Sequence, residues 1–571
     1  MRFIIPLIFA ISFFACNRNQ ESEKEVNDNE TISYNDSIRL LELKKFEVAQ
    51  IESSLAIREI LENRQPGERY RILDDELYSS VLLPRLYTEN EFKPFWTKQL
   101  YNYESASQLI EYIENAEFHG LVPTHYHFDA LKKLFESLQN DSSQVFNPLF
   151  TAHLDLLLSD AFFMLSSHLY HGKIDSESLE AQWGIQRNKP ELMLDQKLRL
   201  LHNGKNIEQI FKTFYPPYSG YEKMVHEAKR LRSIQVSDFS VSMDPKTLSI
   251  KPGETSKDLP AIKKKLNYLG LYEADSLDFS VEYDEKTVKS IQKLQALFGF
   301  NTDGNIGKNT LKALNMPVEQ KLKQLYVNME RLRWLPDSLE HRYVLANIAD
   351  FSLFMFEGKD TLLNMRTIVG KDYRETPVFN SKIRYLVFSP SWTVPPGIMQ
   401  KDIIPAVKKD LNYLSQKNML VYDSQGKLTD PATINWKRNG MRYTVRQAPG
   451  NQNSLGKVKF MFPNKYNVYL HDTPSRELFW RDERTFSSGC IRIEKPFELT
   501  KVLLSDMPEW TDEKIKQAMN SGVEKTVVLK SSVGVYLYYL TAWANENGEI
   551  HYRSDIYDRD LAVFTALGQK K

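Results

Sequence analysis

The chain has 571 residues, of which 42% are hydrophobic, 12% aromatic and 26% charged, an ordinary globular composition for about three or four domains. Lysine and arginine total 74, as do aspartate and glutamate, so the net charge is zero. That balance removes the overall electrostatic case for a nucleic-acid partner and leaves room only for a local patch.

The first residues, MRFIIPLIFAISFFAC, read as a targeting segment. Arg2 supplies a positive start, and Phe3 to Ala15 is apolar but too short to span a bilayer as a helix. Residues 1–15 are expected to be a signal peptide. The polar stretch that follows, NRNQESEKEVNDNE, predicts a disordered linker over 16–36. Ala15-Cys16 resembles the lipobox of bacterial lipoproteins, with Phe13 and Phe14 in place of the usual Leu-Ala/Ser. The resemblance implies an acyl anchor on Cys16; the alternative is a plain secretory signal. Asn17 is not the aspartate of an inner-membrane retention signal, so the expected location is the periplasm, on an outer-membrane anchor. Exported proteins usually pair their cysteines. With Cys16 lipidated, Cys490, the other cysteine, has no partner.

Residues 37–254 predict an α-helical scaffold. HLDLLLSDAFFMLSSHLYHG places Leu154, Leu157, Leu158, Ala161, Phe162, Leu165 and Leu169 on a helical period, with Gly172 as the stop. His119, His125 and His127 lie in a segment rich in proline, glycine and aromatics, and His168 and His171 lie one turn apart. A zinc site would need three or four convergent ligands with suitable carboxylates or thiols, and the proline, glycine and aromatics suggest that the first group is a packed loop, so no metal is expected.

Residues 255–315 predict two amphipathic helices, a turn at Asp303-Gly304-Asn305 and a third short helix. Val288, Ile291, Gln292, Leu297, Gly299, Asp303, Gly304, Ile306, Gly307, Thr310, Ala313 and Leu314 carry a pattern that resembles the small three-helix peptidoglycan-binding domain.

Within the expected domain 316–571 the character shifts to strands after NMERLRWLP, Asn328 to Pro336: YVLANIADFSLFMF, LNMRTIVG, KIRYLVFSPSWTVP and NVYLH are β-branched and aromatic, and Asn547-Gly548 marks a hairpin. An interruption of the strands at about 400–445, KKDLNYLSQKNML and a loop-rich tail, is expected to be a lid over a site.

Strand alternation puts Cys490 and Arg492 on one face of CIRI, with Ile491 and Ile493 on the other. In NVYLH, Tyr469 and His471 share a face opposite Val468 and Leu470, so both strands can present polar groups to one cleft. Gly489 lets backbone amides approach a carbonyl as oxyanion donors. A neighbouring imidazole or cation activates a thiol, which casts His471 as base and Arg492 as either a thiolate stabiliser or a carboxylate grip. Arg492 could instead be a surface ion-pair residue, and Trp392 and Tyr469 could be packed core aromatics.

His471 followed after a loop by Ser-Ser-Gly-Cys-Ile-Arg, residues 487–492, is similar to the signature of the L,D-transpeptidase catalytic domain, the YkuD-like fold. NMERLRWLP, VGKDYRETPVF, SPSWTVPPGI and RQAPGNQNSLGKVKFMFPN resemble the large multidomain members. The resemblance implies a multidomain α+β architecture: a helical scaffold, a small peptidoglycan-binding-like domain and a mostly-β catalytic domain with an inserted lid. It implies that Cys490 is the nucleophile, His471 the general base, and the Ser488–Gly489–Cys490 turn the source of oxyanion donors. It further implies that Arg492 holds the site or a substrate carboxylate, and that Tyr469 and Trp392 line the donor pocket. Asp472 is a candidate to orient His471, with a backbone carbonyl as the alternative. One departure stands out: many relatives have histidine where this chain has Ser488. The implied reaction is 3→3 cross-linking of peptidoglycan stem peptides with release of D-alanine, without a cofactor, and with carbapenem-type β-lactams as inhibitors. Three rivals stay open: an L,D-carboxypeptidase or cysteine peptidase, a non-catalytic wall-binding scaffold, and an inert structural thiol.

Overall fold

The computed structural model describes residues 21–570 except 66, 180–182, 186–188, 204, 219, 274–279 and 439. Cys16 and the expected signal peptide therefore lie outside the described residues. The chain divides into two compact units. One comprises Met1–Glu114, Thr124–Leu165 and Leu194–Ile210; the other comprises Asn115–Pro123, Ser166–Met193 and Phe211–Lys571.

The first unit is helical. Its long helix α1, Glu21–Glu62, begins inside the stretch expected to be a disordered linker. Glutamate and lysine are good helix formers even where no apolar stripe exists, which is why polarity alone did not mark this segment as helical. Helix α2, Pro148–His171, is long and apolar enough to cross a membrane, but most of it is buried in protein. It is a core helix: Leu154, Leu157, Leu158, Ala161, Phe162 and Leu165 are fully buried. Two acids share that buried helix and are satisfied by loop groups. Asp155 accepts from the Phe95 and Trp96 amides at 2.7 and 2.8 Å and from the Tyr87 hydroxyl at 2.6 Å, and burial pushes its carboxyl up to about 6. Asp160 accepts from the Ser79 amide at 2.7 Å and contacts His127 Nε2 at 2.8 Å.

In the second unit, three short helices, α3 (Leu259–Tyr268), α4 (Glu285–Leu297) and α5 (Lys308–Leu314), surround Ile262, Leu266, Ile291, Leu294, Ile306 and Leu314. Asp284 caps α4 through the Thr287 amide at 2.7 Å. Gly304, at φ +74°, makes the turn, where Gln295 accepts its amide at 2.9 Å. Helix α6, Val318–Arg333, buries the polar groups of the NMERLRWLP run. Arg333 pairs with Glu330 at 2.7 Å with both side chains fully buried, and it donates to the Tyr221 hydroxyl at 2.8 Å.

The strands that follow are β1 (Arg342–Asn347), β2 (Ser352–Glu357), β3 (Asp360–Gly370), β4 (Val378–Phe388) and β5 (Trp392–Thr393). Next come β6 (Met419–Tyr422), β7 (Leu428–Thr429), β8 (Thr444–Gln447), β9 (Val458–Met461), β10 (Leu470–His471), β11 (Thr485–Ser487) and β12 (Ile491–Ile493). The chain ends with β13 (Lys525–Tyr538), the hairpin β14 (Ala542–Ala544) and β15 (Ile550–Tyr552), and helix α7 (Asp560–Gly568). The main sheet runs β9-β10-β12-β3-β2-β1-β13-β4, and β4 pairs back onto β9, so it closes on itself. Closure leaves no bare edge along that path.

After KKDLNYLSQKNML the 400–445 interruption is mostly turn and loop, as expected, and it also carries short strands. It is a small lobe with the sheet β7-β6-β8-β5 and its own apolar core, including Val394, Met399, Val407, Val421, Trp436 and Val445. Its strands are two to four residues long and separated by turn residues. Runs that short carry little alternation to read.

Candidate active site

Strands β10 and β12 are parallel neighbours, with Leu470 opposite Ile491 and His471 opposite Arg492. A parallel pair needs a long crossover, and residues 472–490 supply it. Leu470, Ile491 and Ile493 are fully buried, which fixes the register, because a one-residue slip would turn all three out of the core. The opposite face then carries Tyr469, His471, Cys490 and Arg492 together. The Tyr469 and His471 rings lie 5.7 Å apart.

The turn before Cys490 is stitched by its own side chains. Ser487 Oγ donates to the Cys490 carbonyl and accepts from the Gly489 amide at 3.1 Å. Thr376 Oγ1 donates to the Gly489 carbonyl at 2.9 Å, and the Lys371 amide donates to the Ser487 carbonyl at 3.1 Å. Gly489 sits at φ +107°, which a side chain would strain. In the turn expected to supply oxyanion donors, the Gly489 amide is already engaged, and the Ser488 hydroxyl accepts from Arg374 at 2.8 Å. Among the described residues, the amides of Ser488 and Cys490 donate to no partner.

His471 Nδ1 lies 2.6 Å from the Asp472 backbone carbonyl, so Nδ1 carries the proton and Nε2 is the free acceptor of the neutral ring. The Asp472 carboxylate is occupied elsewhere, by the Lys457 amide at 2.9 Å and Arg476 at 3.3 Å. The orienting group is therefore the carbonyl of residue 472 and not its side chain. Burial, reinforced by Arg492, drives the His471 imidazole down to about 3. Burial pushes the Cys490 thiol up to about 11, against opposing pulls from Tyr469 and Arg492. Burial and the facing Cys490 together hold the Tyr469 hydroxyl well above its ordinary range. At rest both the thiol and the imidazole are thus neutral. Cys490 Sγ points at the Asn467 carbonyl, 3.8 Å away, and no hydrogen bond joins it to His471 among those described.

Arg492 is half-buried and forms no ion pair among the described residues; its Nε is buried without a partner. Burial lowers its pKa, so a carboxylate arriving beside it would relieve an unpaired cation. Trp392 lies in β5, paired with Gln447 and packed on the lobe core, and not on the strands that carry Cys490 and His471. The chemistry-bearing residues missed in the sequence are Arg374, Thr376 and Ser487. Each reaches the turn through a side-chain hydrogen bond, and only Ser487 is near it in the chain.

The histidines considered for a metal go elsewhere. His127 contacts Asp160 and Asp75, at 2.8 and 3.6 Å, and His119 Nδ1 contacts the Tyr221 hydroxyl at 3.0 Å. Among the described residues no group of three or more His, Cys, Asp or Glu side chains is placed to hold a metal ion. A cavity of about 970 Å³ lies beside Phe298, Phe300, Gln324, Arg484 and Phe564, away from all the expected site residues.

Three family models match the chain: a scaffold domain at 81–227, a "Putative peptidoglycan binding domain" at 255–314 and an L,D-transpeptidase catalytic domain, YkuD, at 341–518. A curated relative from Haemophilus influenzae, named "Putative L,D-transpeptidase", is 38% identical over 277 residues. That match covers 47% of this chain and 55% of the relative, so the chain spans about half the length of the curated relative it matches. Solved L,D-transpeptidases from Xylanimonas cellulosilytica and Stackebrandtia nassauensis are 14% and 12% identical. Each match covers 52% of this chain and, respectively, 100% and 96% of the other, with TM-scores of 0.17 and 0.19.

Proposed function

Since residues 341–518 belong to the YkuD L,D-transpeptidase family and share a chain with a peptidoglycan-binding and a scaffold domain, we propose that the protein cross-links peptidoglycan stems 3→3 through a Cys490 thioester. The observation that carries this reading is the β10–β12 register, which sets His471 and Arg492 side by side next to Cys490.

The Cys490 sulfur attacks the carbonyl of the third residue of a tetrapeptide donor as its proton passes to His471 Nε2. The Cys490 amide, without another partner among the described residues, donates to the developing oxyanion. The tetrahedral intermediate collapses, the C–N bond breaks, and D-alanine leaves with the proton held by His471. An amine from a second stem then attacks the thioester; its proton returns through His471 to the departing sulfur, and a new amide remains. A neutral imidazole suits this cycle because it can accept the thiol proton without first losing one. Arg492 pairs with a donor carboxylate, while Tyr469 and Trp392 line the donor pocket. The inserted lobe acts as the lid, keeping water from the thioester and so favouring aminolysis. Carbapenem-type β-lactams would acylate the same thiol. A lipid anchor on Cys16 would hold the protein at the outer membrane, facing the wall.

The test is mass spectrometry of products from the full chain and disaccharide-tetrapeptides. The expected products are dimers lacking one D-alanine, absent with Cys490→Ala. Tripeptides without dimers would make water the acceptor and the protein a carboxypeptidase.

A further inference from the structure

Arg374 is the one side chain described that hydrogen-bonds both the Cys490 turn and the inserted lobe. Its Nη1 donates to Ser488 Oγ at 2.8 Å and to Asp402 Oδ2 at 2.6 Å, and its Nη2 donates to the Gly397 carbonyl at 3.2 Å. Ser488 belongs to the turn; Gly397 and Asp402 belong to the first helical stretch of the lobe, where Asp402 lies on a π-helical turn over Met399–Ile403. Turns of that kind recur at functional positions. The backbone of Arg374 is itself fixed to the turn. A Cβ on Gly370 would lie 2.1 Å from the Arg374 carbonyl, so only glycine lets the 371–376 loop fold back this tightly. Thr376 Oγ1, two residues on, accepts from the Gly370 amide at 2.9 Å and donates to the Gly489 carbonyl.

A planar guanidinium can serve three acceptors in fixed directions, which an ammonium on a flexible stem cannot. Asp402 has no other hydrogen bond or ion pair among the described residues. Its carboxylate therefore acts on the turn only through Arg374. Ser488 Oγ is the turn atom this fork grips.

We propose that Arg374 is a positioning residue that couples the inserted lobe to the nucleophile turn, so that the lobe's placement sets the accessibility and alignment of Cys490. Its effect on acyl transfer rests on the transpeptidase reading; its effect on the thiol does not.

The experiment measures alkylation of Cys490 by iodoacetamide in the full chain, followed at the Cys490 peptide by mass spectrometry, alongside acyl-transfer kinetics. Asp402→Asn and Ser488→Ala should each speed alkylation about 3- to 10-fold, the range of coupling between directly contacting groups. Arg374→Ala should do at least as much, and Arg374→Lys should not restore the wild-type rate. Adding Asp402→Asn to Arg374→Ala should change the rate by less than about twofold, since the carboxylate then has nothing to act through. For donor acyl transfer, kcat should fall by a similar factor in the single variants. A wild-type alkylation rate in Asp402→Asn would overturn the proposal, as would an Asp402→Asn effect that persists without Arg374. Should Arg374→Ala fail to fold, the half-exposed Asp402 and the Asp402→Asn/Ser488→Ala double variant still decide it: coupling requires their effects to be non-additive, and additivity overturns it. Absence of any transfer product in the wild type would contradict the transpeptidase reading while leaving the alkylation comparison intact.

Discussion

Cys490 and His471 titrate far apart and in the directions burial dictates, the thiol near 11 and the imidazole near 3. At neutral pH neither is charged, so in the proposed reaction the proton moves as the sulfur attacks and not before it. Iodoacetamide alkylation of Cys490 should therefore climb with pH towards about 11 with no neutral plateau. A plateau with its midpoint below pH 7 would mean a preformed thiolate–imidazolium pair. Replacing His471 by alanine should slow acylation by the donor about 10²- to 10⁴-fold, the usual worth of a positioned base, with the unfolding midpoint measured in parallel. Stability carries the same signature. The unfolded chain protonates His471 near its ordinary 6.5 and the folded chain not until about 3. The unfolded state thus binds the extra proton in that window, and stability present above 6.5 is lost as pH falls, by up to about 1.4 kcal/mol per pH unit. Urea midpoints of His471→Gln should fall less steeply than wild type between pH 6.5 and 4.

At the level of elements, the β10–β12 pair works because neighbouring loops lock its polar face. Gly456, at φ +62°, lies against Asp472; a Cβ there would stand 2.4 Å from the carboxyl carbon. Gly456→Ala should destabilise by about 1–3 kcal/mol and lower kcat at least about tenfold, because displacing Asp472 moves the carbonyl that fixes His471. The inserted lobe stands on its own apolar core, and Trp436→Ala should cost about 3–5 kcal/mol there. Hydrogen exchange should then rise across 394–445 while β10 and β12 stay protected; loss of protection in both would mean that lobe and sheet unfold together. Much of the pair was legible in the sequence, since buried isoleucines at 491 and 493 force Cys490 and Arg492 outward. The turn was legible only in outline. Glycine announced its backbone, but Ser487 capturing the Gly489 amide depends on rotamers, and Arg374 reaches Ser488 from 114 residues away. The lobe's sheet escaped notice because its strands are too short for periodicity.

Across the second unit, buried polar ties join segments far apart in sequence. Arg331 of α6 pairs with Asp560 of α7 at 2.6 Å, with the arginine side chain 2% exposed, and Thr541 donates to the same carboxylate at 2.7 Å. Asp560→Ala would leave that guanidinium buried without its counter-charge and should cost about 3–5 kcal/mol in urea unfolding, with Asp560→Asn costing less. Nothing local to the NMERLRWLP run announces that both its arginines are buried, because Arg331 is covered by Asp560 of the C-terminal segment and Arg333 by His119 and Tyr221. The strand-rich character of the segment after Pro336 could be read from β-branched runs, whereas the return of β4 onto β9 is a long-range pairing that no local pattern encodes. All of these parts serve one claim, that Cys490 forms a thioester with a stem peptide. Intact-protein mass spectrometry after mixing the full chain with a tetrapeptide donor tests it directly. The expected product is an adduct of the donor minus D-alanine, mapped to Cys490 and lost with Cys490→Ala. No adduct, or the same adduct in Cys490→Ala, would contradict it.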